Sequence, residues 1–150
     1  TIDSLWRNQL SAMHTAQHLV SALANEEWGA QTVGNQIGFD RTRIDLQFEN
    51  RDVFDADHMA AMVNRAIENN MPVKMDFRPS QELMEDPLVR INMDRMPPNI
   101  DVWRTISIGD LDVCPCAGTH VLQTGDIPPV EITRVKSKGA GRLRIEYILN

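Results

Sequence analysis

Apolar side chains recur at helical spacing over the first 28 residues: Leu5, Ala12, Ala16, Leu19 and Leu23 fall on one stripe of SLWRNQLSAMHTAQHLVSALANEEW. No Pro or Gly interrupts that run before Gly29. A long opening helix is therefore predicted, with Asp3 or Ser4 as its cap. The period then drops to two. TVGNQIGF and TRIDLQFE read as the strands of a hairpin, and in the second Ile44, Leu46 and Phe48 alternate with Asp45, Gln47 and Glu49. Helical spacing returns in DADHMAAMVNRAIENN, which places Met59, Met62, Val63, Ala66 and Ile67 inward. PVKMDFR is a strand with Val73, Met75 and Phe77 on one face, and PSQELMEDP is a short helix stopped by Pro87.

DRMPPN must be a loop, because consecutive prolines break regular structure. DVWRTISIGD is a candidate strand. PVEITRVKSKGAGRLRIEYIL closes the chain as a hairpin around Gly139 and Gly141, with Leu143, Ile145 and Tyr147 alternating with Arg142, Arg144 and Glu146. Hairpins mixed with helices, without regular βαβ units, predict an α+β fold with a mainly antiparallel sheet packed against helices. The length of 150 residues and the lack of repeats or a long linker predict one domain over 1–150.

Composition adds little to that picture: 42% hydrophobic and 24% charged residues are ordinary for a soluble globular chain. No apolar run approaches the roughly 18 residues that cross a bilayer, so no membrane partner is expected. No basic, apolar leader opens the chain, so no signal peptide is expected either. Cys114 and Cys116 are too close for an unstrained disulfide, which points to a reduced, cytoplasmic protein. The net charge of −6 argues against nucleic acid, but the distribution qualifies it. Arg134, Lys136, Lys138, Arg142 and Arg144 crowd into RVKSKGAGRLR. Such a feature suits phosphate contacts, or simply a solvated hairpin face.

The chemistry lies in two spaced pairs. His14 and His18 are four apart on the opening helix, so both imidazoles leave one face and can reach one ion at about 2 Å each. Cys116 and His120 are also four apart, beside Gly118. Two or three nitrogens and one sulfur suit Zn²⁺. His58 joins no such pair and reads as a surface residue.

HTAQH and CAGTH, about a hundred positions apart, resemble the HxxxH and CxGTH motifs of the alanyl-tRNA editing domain. Its free-standing versions form the AlaX family, and a related domain lies in bacterial threonyl-tRNA synthetases. RIDLQF and TGDIPPVEITRVKSKGAGRLRIEY resemble other segments of the same domain, so the likeness spans nearly the whole chain. The length resembles the short AlaX type. Ala117 departs from the usual glycine pair. The resemblance implies a metal set of His14, His18, Cys116 and His120; Cys114 is a bystander or a reserve ligand.

It further implies an enzyme that hydrolyses the ester of mischarged tRNA(Ala), chiefly seryl-tRNA(Ala), binding the acceptor end. Other readings are a deacylase for another mischarged tRNA such as seryl-tRNA(Thr), or a zinc-stabilised tRNA-binding module without catalysis. A pocket built for alanine rejects serine poorly, whereas a site that hydrogen-bonds the serine hydroxyl discriminates strongly. Four protein ligands also make a closed set, while a catalytic zinc normally keeps an open position. Helix geometry of about 100° per residue sets Gln17 about 60° from His14. Gln17 and Thr32 are the candidates for contact with the amino acid or the attacking water. Thr15, Gly34, Asn35 and Gly38 are candidates for the substrate pocket. Arg134, Lys136, Lys138, Arg142 and Arg144 are candidates for the tRNA backbone.

Overall fold

The computed structural model describes residues 2–90 and 101–150. The loop expected over DRMPPN lies outside them. The opening helix α1 runs Ile2–Trp28, followed by β1 (Gln31–Gln36), β2 (Thr42–Gln47) and α2 (Ala56–Glu68). Then come β3 (Val73–Pro79), α3 (Ser80–Glu85), β4 (Val102–Ile108), β5 (Asp112–Pro115), β6 (Val130–Ser137) and β7 (Arg142–Leu149). The result is a long N-terminal helix with two antiparallel sheets, an α+β arrangement consistent with an editing domain. One sheet has the order β1-β2-β7-β6 and the other β3-β4-β5.

The alternation in β2 and β7 decides which face of the larger sheet is dry. Ile44 pairs with Ile145 and Leu46 with Leu143, and all four are buried, as is Tyr147. Met13, Ala16, Leu19 and Val20 of α1 join the same core, together with Met59, Val63, Ala66 and Ile67 of α2. Val73, Ile106 and Ile108 connect the smaller sheet to it. Asp55 caps α2, its carboxylate accepting from the His58 amide at 3.1 Å. The Tyr147 hydroxyl, fully buried, donates to the Met13 carbonyl at 2.7 Å. That bond ties β7 to α1 one residue before His14.

Several expectations change. α1 starts at Ile2, so Asp3 and Ser4 lie within its first turn rather than before it. Leu5 is exposed, because the first turns of α1 extend beyond the core, and Leu23 and Met62 are only partly buried. Met75 and Phe77 are exposed as well: among the described residues, only the Val73 end of that strand face reaches the core. A short strand, β5, was not anticipated in the Cys/His segment. Gly109, at φ +46°, makes the turn from β4, and β5 then pairs Ile106 with Cys114 and Ile108 with Asp112.

Candidate metal centre

The two spaced pairs converge. His14, His18, Cys116 and His120 each offer a ligand atom, and these atoms all lie within 4.8 Å of one another, a group that could hold a metal ion. His14 and His18 come from one face of α1. Cys116 and His120 come from the loop that leaves β5. His18 is buried, and the other three are partly buried.

Arg104 of β4 shapes that loop. Its guanidinium donates to the carbonyls of Cys116 at 2.9 Å and Gly118 at 2.8 Å, while its own carbonyl accepts from the Cys116 amide at 3.0 Å. Gly118 then passes directly under the His14 ring. A Cβ there would lie 2.5 Å from His14 Nδ1, so the position has no room for a side chain.

Hydrogen bonds set the ring tautomers of two histidines. His14 Nδ1 lies 3.2 Å from the Thr119 carbonyl, which only accepts, so this nitrogen carries the proton. The lone pair is left on Nε2, 3.5 Å from Cys116 Sγ. Thr15 does the same for His120. Its single hydroxyl proton goes to the Ser11 carbonyl at 2.9 Å, so its oxygen accepts from the Val121 amide at 3.1 Å and from His120 Nδ1 at 2.9 Å. His120 Nε2 keeps its lone pair, also 3.5 Å from Cys116 Sγ. Metal-binding histidines are commonly oriented through their second nitrogen in this way.

Protonation favours the same use. Burial holds all three imidazoles below their ordinary value: His18 well below it, with His120, Arg90 and His14 adding repulsion, and His120 down to about 3. They are therefore neutral ligands near pH 7. Burial pushes the Cys116 thiol up, opposed by the Gly118 amide and Arg104, so a cation must displace its proton. One sulfur and three neutral imidazoles form a donor set that fits a borderline-soft divalent ion.

Residues 103–146 match the family described as threonyl and alanyl tRNA synthetase second additional domain. The alanyl-tRNA editing protein AlaX-M of Saccharolobus solfataricus is 32% identical over 150 residues, covering 98% of this chain and 61% of that protein. AlaX-M of Methanosarcina acetivorans is 32% identical over 142 residues, covering 91% of this chain and 56% of its own. The chain is thus similar to AlaX alanyl-tRNA editing proteins over nearly its whole length. It is related to alanine–tRNA ligases too: that of Halorubrum lacusprofundi is 30% identical over 97% of this chain and 16% of the ligase. The chain spans about three fifths of the length of the curated editing proteins it matches.

The other candidate residues are placed unevenly around the centre. Gln17, buried, donates to the Ser21 hydroxyl at 2.8 Å, and Thr32 donates to the same oxygen at 2.6 Å. Ser21 is thus the link between the two, and only contact across α1 and β1 reveals it. Thr15, expected against substrate, is fully buried instead, and its hydroxyl is committed to Ser11, Val121 and His120. A Cβ at Gly34 would face the Asp45 carboxylate at 3.3 Å, and one at Gly38 would overlap the Arg41 carbonyl at 2.5 Å. Gly38 is therefore required by the turn itself, whereas a side chain at Gly34 needs the Asp45 carboxylate to give by a few tenths of an ångström. Asn35 is exposed on β1.

Of the basic hairpin, Arg134 and Lys136 lie exposed on β6, and Arg142 is exposed on β7. Lys138 lies past the end of β6, in the turn, where its amide donates to the Arg142 carbonyl. Arg144 is not a free cation. It grips Asp45 with two bonds of 2.8 and 3.2 Å, which hold the carboxyl below its usual range. Arg51, not foreseen, donates to Ser137 and to the Gly139 carbonyl at the hairpin tip.

Cys114 lies outside the four-residue group, its thiol pushed up to about 11 by burial. His58 sits on α2, 3.4 Å from Glu27 and about half exposed. Two cavities open beside His120. One of about 350 Å³ includes Asn8, Ser11 and Asp126, and one of about 250 Å³ includes Met75, Arg104 and Thr119. No helix among the described residues is long and apolar enough to cross a membrane.

Proposed function

We propose that this chain acts as one editing domain, a deacylase that hydrolyses the ester of mischarged tRNA(Ala), chiefly seryl-tRNA(Ala), at a zinc site made by His14, His18, Cys116 and His120. The observation that carries the reading is the convergence of those four donors within 4.8 Å, with the tautomers of His14 and His120 already set for ligation. The editing names of the homologues support the tRNA ester as substrate. A bound zinc ion supplies Lewis acidity at the ester.

The protein's own groups do the rest. Gln17 and Thr32, joined through Ser21, supply amide and hydroxyl dipoles on the side of α1 that faces β1. They are the groups assigned to the amino acid or the attacking water. A serine hydroxyl offers this Ser21-linked group a further hydrogen-bond partner that an alanine methyl does not, and a site that bonds the hydroxyl discriminates on that difference. Asn35, Gly34 and Gly38 wall that side along β1 and its turn. Thr15 acts through His120. Arg134, Lys136, Lys138 and Arg142 supply positive charge to tRNA phosphates, which fixes position without reading sequence.

The deciding experiment compares ester release from seryl-tRNA(Ala) and alanyl-tRNA(Ala), with His18→Ala alongside. Rapid loss of serine with alanine spared, abolished in His18→Ala, is expected. If seryl-tRNA(Thr) is cleaved in preference, the substrate assignment fails. If neither ester is cleaved while the protein binds tRNA and unfolds on chelation, the ion is structural and the enzyme reading fails.

A further inference from the structure

His18 differs from the other two histidines of the centre. Its Nδ1 is buried and has no hydrogen-bond partner. An orphaned ring nitrogen inside a protein costs free energy unless something answers it. The atom is not far from an answer: Asp112 Oδ2 lies 3.9 Å away, and Asp112 is itself almost fully buried. Nor is that carboxylate free to turn aside. Arg90 holds it with two parallel bonds, Nε to Oδ1 and Nη2 to Oδ2, each 2.9 Å. Asp112 opens β5, four residues before Cys116, so the strand that delivers the thiol also delivers the carboxylate.

We propose that Asp112 is a positioning residue for the metal ligand His18: its Arg90-clamped carboxylate takes the proton side of the ring at Nδ1 and so turns Nε2 to the ion. This rests on the metal reading above. Thr119 serves His14 with a carbonyl and Thr15 serves His120 with a hydroxyl. His18 alone is served by an anion. A carboxylate behind an imidazole raises the ring's basicity as well as fixing its orientation, and removing such a partner typically weakens metal binding about 10- to 100-fold.

The test measures zinc affinity by chelator competition and the absorption spectrum of the cobalt-loaded protein, for wild type, Asp112→Asn and Asp112→Glu. Asp112→Asn is expected to bind zinc about 10- to 100-fold more weakly with an altered cobalt spectrum, and Asp112→Glu to recover most of the loss. Histidine nitrogen NMR of the zinc-loaded wild type, which needs no variant, should show the His18 proton on Nδ1. Should Asp112→Asn fail to fold, with the partly buried Arg90 left without its carboxylate, the double variant Arg90→Met/Asp112→Leu removes both charges and must show the same loss of affinity. Unchanged affinity in a folded variant, or a His18 proton on Nε2, overturns the inference while leaving the metal site standing. A wild type that takes up neither zinc nor cobalt overturns both.

Discussion

Gly118 and His14 are in such close contact that the glycine's missing side chain is part of the site: the imidazole occupies the space where a Cβ would project, with Nδ1 2.5 Å from that point. His14 in turn is held by the carbonyl of the next residue, Thr119, at 3.2 Å. Gly118→Ala is therefore expected to push the His14 ring out of the centre and weaken zinc binding by about tenfold or more, the scale seen when a ligand's supporting partner is removed. Ala117→Gly, at an exposed neighbour, should leave affinity unchanged. Chelator competition on both variants decides it. Equal affinities would show that the loop moves aside freely.

The same pair of residues shows what a linear reading could and could not reach. The four candidate ligands were legible because metal chemistry imposes spacing: four residues apart on a helix puts His14 and His18 on one face, and Cys116 and His120 repeat the interval. The alternation of Ile44, Leu46, Leu143, Ile145 and Tyr147 likewise named the dry face of the larger sheet. Arg104, Ser21 and Asp112 carry no such pattern. Each acts through a partner distant in sequence or on another element: Arg104 on a carbonyl 14 residues away, Ser21 on Thr32, Asp112 on His18. β5 was hidden because its four residues are read as chemistry before they are read as a strand. Arg144 misled because a charged residue on an outward strand position looks free until its cross-strand partner, here Asp45, is known.

Thr15→Val should show how much a buried hydroxyl does for His120. The substitution keeps the shape of the side chain but strands both the Val121 amide and His120 Nδ1, which donate to the hydroxyl oxygen at 3.1 and 2.9 Å. Leaving buried donors without an acceptor costs about 1–3 kcal/mol, so the melting temperature and the zinc affinity should fall together. Thr15→Ser, which retains the oxygen, should restore both. A loss of stability without any loss of metal binding would separate Thr15 from the centre.

Acid should destabilise the metal-free protein. His14, His18 and His120 all have folded-state values below the ordinary 6.5, His120 at about 3, because burial disfavours their charged forms. In the unfolded chain they take up protons near 6.5, so below that pH the unfolded state binds more protons than the folded state. The stability they contribute is present above about pH 6.5 and is lost as pH falls toward 3. Thermal melts of the chelated protein should fall across that window, and a His14→Gln/His120→Gln variant should show a shallower slope. A slope unchanged by that pair would assign acid sensitivity to other groups.

Metal uptake at neutral pH should release about one proton, and the source should be Cys116. The imidazoles are already neutral, whereas burial raises the thiol and keeps its proton on until a cation displaces it. Calorimetric titration in buffers of different ionisation enthalpy counts the released protons directly. Cys116→Ser should bring the count close to zero and weaken binding, and Cys114→Ser should change neither. Release unaffected by Cys116→Ser, or abolished by Cys114→Ser, would move the sulfur ligand to the wrong cysteine.

The basic hairpin should divide into residues that meet tRNA and one that holds the sheet. Arg134, Lys136 and Lys138 are exposed, and Lys138 is held below its ordinary value by the nearby charges of Lys136 and Arg144. An anion laid across this cluster relieves that repulsion. Removing one cation that meets a phosphate should weaken tRNA binding at every sequence and reduce the slope of log affinity against log salt by about one. The triple change Arg134→Ala/Lys136→Ala/Lys138→Ala should therefore bind tRNA weakly, with a flatter salt dependence and a nearly unchanged melting temperature. Arg144→Ala should behave in the opposite manner, because its guanidinium is engaged by Asp45 across β2 and β7. It should lower stability and leave the salt slope close to wild type. Binding isotherms at several salt concentrations, read beside thermal melts, distinguish the two. If the triple variant binds tRNA as wild type does, the hairpin is a solvated face and the acceptor end approaches from elsewhere.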